Sequence, residues 1–275
     1  LFNPFERVSD FSRRIYSMAR DGFAATVAIE PIVREQSSMG DQTRGSADSA
    51  GPSSPRDDRT ILYLHGFLSS AQSTKAGFLR ERFESMPRVT FHAVDFNPTP
   101  RDFETMTTTG QINRLRQYVL DHGLSDMMLV GSSFGGLVAF HYAHRFGGVA
   151  RMLLLAPAVV WLSGGLSERE LRRWEEAGAL PVFHPAFGRE VPIGYDLHLD
   201  GLRYRERVPP AAPAIIIHGR QDDTVPIADS RAYAADYADY VRLIEVDADH
   251  DLNPHLDLIW GYVQSFLLGV DEDIE

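Results

Sequence analysis

Seven residues constrain this chain more than any others: Val130-Gly131-Ser132-Ser133-Phe134-Gly135-Gly136. They follow an apolar run, Met127-Met128-Leu129-Val130, that predicts a buried strand, and precede Leu137-Val138-Ala139-Phe140, which opens a helical pattern. A strand, a G-x-S-x-G turn and a helix in immediate succession form an elbow that presents a nucleophilic serine. The turn is so tight that a β-carbon at Gly131 or Gly135 would clash across it. Ser133, centred between those glycines, is the candidate nucleophile, and Ser132 is not.

The rest of the chain predicts a layered α/β domain around that elbow. Apolar runs at Ile61–Leu64, Val89–Phe96, Met127–Ser132, Met152–Leu155, Ala214–Ile217 and Val241–Val246 alternate with amphipathic patterns at Ser73–Met86, Ile112–Leu120 and Gly135–Phe146. A final helix opens at Asn253-Pro254. Continuous apolar strands separated by helices indicate a mostly parallel sheet covered on both faces. The connection between Leu155 and Ala214 is longer than a crossover needs. It holds Trp161, a capping-box helix from Ser167 through Trp174, and a hairpin signal at Gly188-Arg189. We read about 159–212 as a cap insertion over the site. Residues 1–33 form an N-terminal extension with a short amphipathic helix near Asp10–Arg20, followed by an extended segment from Phe23 to Val33. Residues 34–59, nearly devoid of large apolar side chains, read as a disordered linker, and residues 60–275 as the folded domain.

Composition excludes several function classes. The 275 residues contain no cysteine, so a thiolate nucleophile, a disulfide scaffold and a cysteine zinc site are ruled out. A net charge of −11 argues against nucleic acid and anionic membranes as partners. No apolar run reaches the roughly 18 residues of a membrane span, and no leader is visible, so a cytoplasmic location is expected. Of 27 basic residues, Lys75 alone is a lysine. An ion pair with Asp95, at the end of the neighbouring strand, is expected for it. His141 and His144 share a helix face at a metal-like spacing, but no third ligand accompanies them. Asp247, Asp249 and Asp251 imitate the start of a calcium loop without its turn glycine or its closing Glu. No metal and no cofactor are expected.

A serine hydroxyl needs a base and a group that orients the base. After a serine elbow, the acid and then the histidine should follow the last strands in that order. Asp222-Asp223 follows the strand at Ala214–Ile217, and His250 follows the strand at Val241–Val246. Two backbone N–H groups should bind the developing oxyanion: Phe134, next to the nucleophile, and Phe67, in the His65-Gly66-Phe67 loop after the first strand.

Together these motifs resemble the α/β-hydrolase superfamily. Leu62-Tyr63-Leu64-His65-Gly66-Phe67-Leu68-Ser69-Ser70 and the elbow are similar to the small bacterial YqiA-like esterases. The His218-Gly219…Asp222-Asp223…Val225-Pro226 block and the Trp174-bearing cap resemble the palmitoyl-protein thioesterase-like hydrolases. The resemblance covers about residues 60–268. It implies the α/β-hydrolase fold and a cofactor-free serine esterase acting on short- to medium-chain acyl esters, with acyl thioesters as the rival substrate and a non-catalytic binding module as the rival class. It places the acid three residues after Gly219, at Asp222, and leaves Asp223 to hold the loop through backbone N–H bonds. Ser133, Asp222 and His250 are then the expected triad.

Overall fold

The computed structural model describes residues 58–161 and 166–270. The expected N-terminal helix and extended segment, residues 34–57 of the expected linker and the acidic tail at 271–275 lie outside them. Arg59, assigned to the linker by composition, is the first residue of a strand.

Six strands form one wholly parallel sheet: β1 (Arg59–Leu64), β2 (Val89–Val94), β3 (Met127–Ser132), β4 (Val149–Leu155), β7 (Ala214–Gly219) and β8 (Val241–Val246). Their order is β2-β1-β3-β4-β7-β8. Neighbouring residues of a strand face opposite sides of a sheet, which explains why the inner strands are apolar over Ile61–Leu64, Met127–Val130, Met152–Leu155 and Ala214–Ile217, whereas the edge strands β2 and β8 also carry polar residues such as His92, Arg242 and Glu245. Leu62, Leu64, Leu129, Met152, Leu154 and Ile216 enter one core, and Ile61, Tyr63, Val130, Leu153, Leu155, Ile215 and Ile217 enter the other. The helices divide accordingly. α1 (Thr74–Glu84) buries Ala76, Leu79 and Phe83 in the second core, beside Ile259 of α8 (Leu256–Tyr262). The first core receives α3 (Thr108–Asp121), α4 (Phe134–Phe146) and α7 (Ile227–Asp236), through residues such as Ile112, Leu137 and Tyr233.

Helix starts follow local chemistry. The Ser73 hydroxyl accepts the Ala76 N–H at the head of α1, a cap worth about 1 kcal/mol. The short α2 (Pro100–Glu104) was not read from the sequence. It is set by Pro100 at its first position and by a capping box between Thr99 and Asp102. The final helix begins with a 3₁₀ turn at Asn253–His255 and ends in a π turn at Val263–Leu267, where Arg59 and Arg151 donate to the carbonyls of Leu267, Leu268 and Phe266.

Between β4 and β7 the chain makes a separate excursion: α5 (Glu168–Ala177), the antiparallel hairpin β5 (Ala179–His184) and β6 (Arg189–Gly194), and α6 (Asp196–Gly201). The capping box at Ser167 and the turn at Gly188, expected from sequence, are both present. The excursion is fastened to the main body. Asp200 accepts from the Thr109 N–H and hydroxyl at 2.7 and 2.6 Å, while within the excursion the backbone N–H of Trp161 donates to the Tyr204 carbonyl at 2.6 Å and ties its two ends together.

Candidate active site

The strand order reverses between β1 and β3. The helix after β1 packs on one face of the sheet and the helix after β3 on the other, so a crevice opens at their carboxyl ends. Ser133 stands there. Its backbone lies at φ 52° and ψ −116°, a conformation costing an L-residue about 1–3 kcal/mol. Close approach on all sides holds it. A β-carbon on Gly135 would sit 2.1 Å from the Leu64 carbonyl oxygen, so only glycine lets β1 and the elbow meet. The Ser133 N–H donates to the Leu155 carbonyl, and its own carbonyl accepts from Gly136 and Ala158.

His250 follows β8 and Asp222 follows β7. The two loops touch backbone to backbone at Gly219, where a β-carbon would fall 2.2 Å from the Ala248 carbonyl oxygen. The structure thereby brings Ser133, His250 and Asp222 into one hydrogen-bonded line: His250 Nε2 lies 3.0 Å from Ser133 Oγ, and Nδ1 lies 2.7 Å from Asp222 Oδ2. Asp222 offers only acceptors, so Nδ1 carries the proton and Nε2 is left to accept one from the hydroxyl. Burial alone would raise the Asp222 pKa. Hydrogen bonds from His218 and His250, with the charge of His250, outweigh it and hold the carboxyl well below the usual carboxylate range.

The paired aspartates differ from expectation in one respect. Asp222 itself accepts the backbone N–H groups of Thr224 and Val225, at 2.9 and 2.8 Å on Oδ1. Asp223 is exposed and accepts only the Thr224 hydroxyl, at 3.3 Å. The acid's other oxygen meets a second imidazole, His218, that the sequence reading overlooked. Its position, four residues before Asp222 at the end of a strand, was the available signal.

Phe134 is the first residue of α4, so its N–H has no intrahelical acceptor. Gly66 lies against Ser133: a β-carbon there would be 3.8 Å from Ser133 Oγ. The neighbouring His65 ring is buried. Its Nε2 accepts the Phe96 N–H at 3.1 Å, so Nδ1 bears the proton and donates to the Gly66 carbonyl at 2.9 Å. In a trans peptide the N–H points opposite to the C=O, so this bond fixes the direction of the Phe67 N–H.

Lys75 does not pair with Asp95. Its ammonium lies 3.2 Å from Asp251, the residue after His250, and both side chains are largely buried. Burial lowers the Lys75 pKa, and Asp251 opposes that shift. Tyr63 packs nearby with its pKa pushed up to about 12 by burial. The Ser132 side chain hydrogen-bonds to Tyr63. Asp247 bonds to Gln221 and Asp251 to Lys75 and Asn253, so the calcium-like spacing serves loop packing. His141 packs edge-on against Tyr204. Among the described residues no cluster of three metal-ligating side chains occurs.

The model of the uncharacterised protein family UPF0227 matches residues 60–265, from the first strand to the final helix. The chain belongs to UPF0227. This UPF0227 protein is also similar in structure to the mouse alpha/beta hydrolase domain-containing protein 10, with 20% identity, a TM-score of 0.64 and coverage of 77% of this chain and 90% of that one. It is similar to Est1E from Butyrivibrio proteoclasticus with ferulic acid bound, at 19% identity, a TM-score of 0.62 and coverage of 78% and 90%. These likenesses identify the α/β-hydrolase fold. Among the described residues no helix is long and apolar enough to cross a membrane.

Proposed function

We propose that this protein is a serine hydrolase that cleaves short- to medium-chain carboxylic esters through an acyl-enzyme. The observation that carries the reading is the 3.0 Å contact between His250 Nε2 and Ser133 Oγ, with Nδ1 tied to Asp222 at 2.7 Å. In the proposed mechanism His250 takes the Ser133 proton as Oγ attacks the acyl carbon. The N–H groups of Phe134 and Phe67 receive the oxyanion, each contributing about 3–4 kcal/mol to the transition state. His250 next protonates the leaving alcohol, then activates the water that releases the acid, while Asp222 keeps the ring oriented and stabilises its cationic form.

The substrate is read from what surrounds the serine. Trp161, at the start of the excursion, approaches Phe134 with ring centroids 6.1 Å apart, and Phe67 approaches Phe103 at 5.5 Å. The half-buried rings of Trp161 and Phe67 beside the nucleophile favour an apolar acyl or alcohol group, and the excursion acts as a cap over it.

The test is fluorophosphonate labelling together with hydrolysis of a chain-length series of aryl esters and the matching thioesters. We expect labelling of wild-type protein at Ser133, its loss in Ser133→Ala and its retention in Ser132→Ala. Absence of labelling would reduce the fold to a binding module. Faster turnover of the thiol ester than of its oxygen counterpart would make the protein a thioesterase using the same residues.

A further inference from the structure

The imidazole of His218 has no part in the proton transfers above, yet it occupies the acid's remaining site. Its side chain and that of Asp222 are both 0% exposed. His218 Nε2 lies 3.0 Å from Asp222 Oδ2 and 3.0 Å from the Val225 carbonyl. Both partners are acceptors, so Nε2 carries a proton and shares it between them. Nδ1 lies 2.9 Å from the Ser230 hydroxyl on α7, which donates to it when the ring is neutral. An ionised carboxylate offers about four lone-pair sites. In Asp222 all four are taken: Thr224 and Val225 N–H on Oδ1, His218 and His250 on Oδ2.

We propose that His218 is a positioning residue that locks the carboxylate of Asp222 and, by sharing Oδ2 with His250, sets how strongly the acid holds the base's proton. This deepens the serine-hydrolase reading and rests on it. Two effects follow from the geometry. Rotation of the carboxylate would break bonds on both oxygens, so Oδ2 stays aimed at His250. Two donors on one oxygen also divide its electron density, so His218 tempers the basicity that Asp222 presents to His250. Removing it concentrates that charge on His250 and favours the imidazolium, which cannot accept the serine proton. The Lys75–Asp251 ion pair adjoins His250 in the chain and is common to every variant compared. Asp222 and His250 are the titratable groups that meet His218 or its partner oxygen, and α7 contributes the neutral Ser230. Glu245, the register neighbour of His218 on β8, is tied up by Arg220 and Arg231 at the surface.

The experiment compares His218→Leu and His218→Gln with wild type in ester hydrolysis across pH, with thermal melts and fluorophosphonate labelling in parallel. Loss of a hydrogen bond to a charged group predicts that His218→Leu lowers kcat roughly ten- to a hundredfold, with KM within about twofold. The acid limb of its pH profile should move upward, by about half a unit or more. His218→Gln, whose amide N–H can reach Oδ2, should recover most of both. A kcat loss with an unmoved acid limb and no rescue by Gln would make His218 a packing residue and overturn the inference alone. A wild-type protein that neither labels nor hydrolyses esters overturns this inference together with the reading beneath it. Should His218→Leu fail to fold, nitrogen-15 spectra of the histidines decide. An Nε2-bound proton on His218 whose resonance moves in Asp222→Asn supports the proposal, and an unprotonated or unmoved Nε2 refutes it.

Discussion

A carboxylate and an amide share one shape but differ by an acceptor oxygen exchanged for a donor NH₂ group, and at Asp222 that difference decides a tautomer. In Asp222→Asn the atom replacing Oδ1 must remain oxygen, because it accepts two backbone N–H groups. The NH₂ group then takes the Oδ2 position and points donors at His250 Nδ1. That nitrogen must become an acceptor, so the ring proton moves to Nε2, where it faces Ser133 and cannot receive the hydroxyl proton. On the proposed function, kcat should fall by about 10³- to 10⁴-fold with the fold retained. Asp223→Asn, at an exposed position with one weak side-chain contact, should keep its activity and change stability by less than about 0.5 kcal/mol. Steady-state kinetics and thermal melts on the two variants check this, and full activity in Asp222→Asn would remove the residue from the mechanism.

At the scale of elements, two loops leaving adjacent strands must be kept in register, and Lys75 contributes from a third element. Its ammonium joins α1 to Asp251 in the segment carrying His250, with the two side chains 13% and 16% exposed. Removing one member of a mostly buried pair leaves the other charge poorly compensated, so Lys75→Met should destabilise the protein by about 2–3 kcal/mol, somewhat below the cost for a fully buried pair. Adding Asp251→Asn should recover part of the loss, as chemical denaturation can show; an additive pair of losses would mean the two groups do not interact. The partner of Lys75 was illegible in the sequence because it lies 176 positions away, and strand order alone pointed to Asp95. Elements were legible where one local signal dominates. The four inner strands announce themselves because both faces are buried, and the Ser167 helix because its capping box is complete. α7 carries a weak signal: Ala228, Ala232, Ala234 and Ala235 dilute its apolar face, and its buried residues are Ile227, Ser230 and Tyr233. The elbow was readable because its constraints are steric and local. The fourfold satisfaction of Asp222 was not, since it needs the packing of β7 against α7 and the loop after β8.

For the whole molecule, acid sensitivity follows from histidines buried as neutral rings far apart in sequence. His184, at the end of β5, packs between Phe103 and Phe187 with ring centroids 4.7 and 4.4 Å away, and neither ring nitrogen has a hydrogen-bond partner. Burial, with a smaller push from His65, lowers its pKa to about 4. His141 in α4 is likewise lowered to about 4, by burial first and then by Arg145 and His144. An unfolded histidine titrates near 6.5. As pH falls below about 6.5 the unfolded chain therefore takes up protons that the folded chain refuses, so stability is whole above that pH and drains away down to about 4. Each ring contributes at most about 3 kcal/mol to this loss. His184→Phe, which keeps a ring against Phe103 and Phe187 and removes two unpaired nitrogens, should be at least as stable as wild type at pH 7. Its Tm should fall less steeply between pH 6.5 and about 4.5, the window in which the wild-type ring resists protonation. Parallel melts at several pH values measure the two slopes. Equal slopes would mean that His184 accepts its proton without leaving the fold.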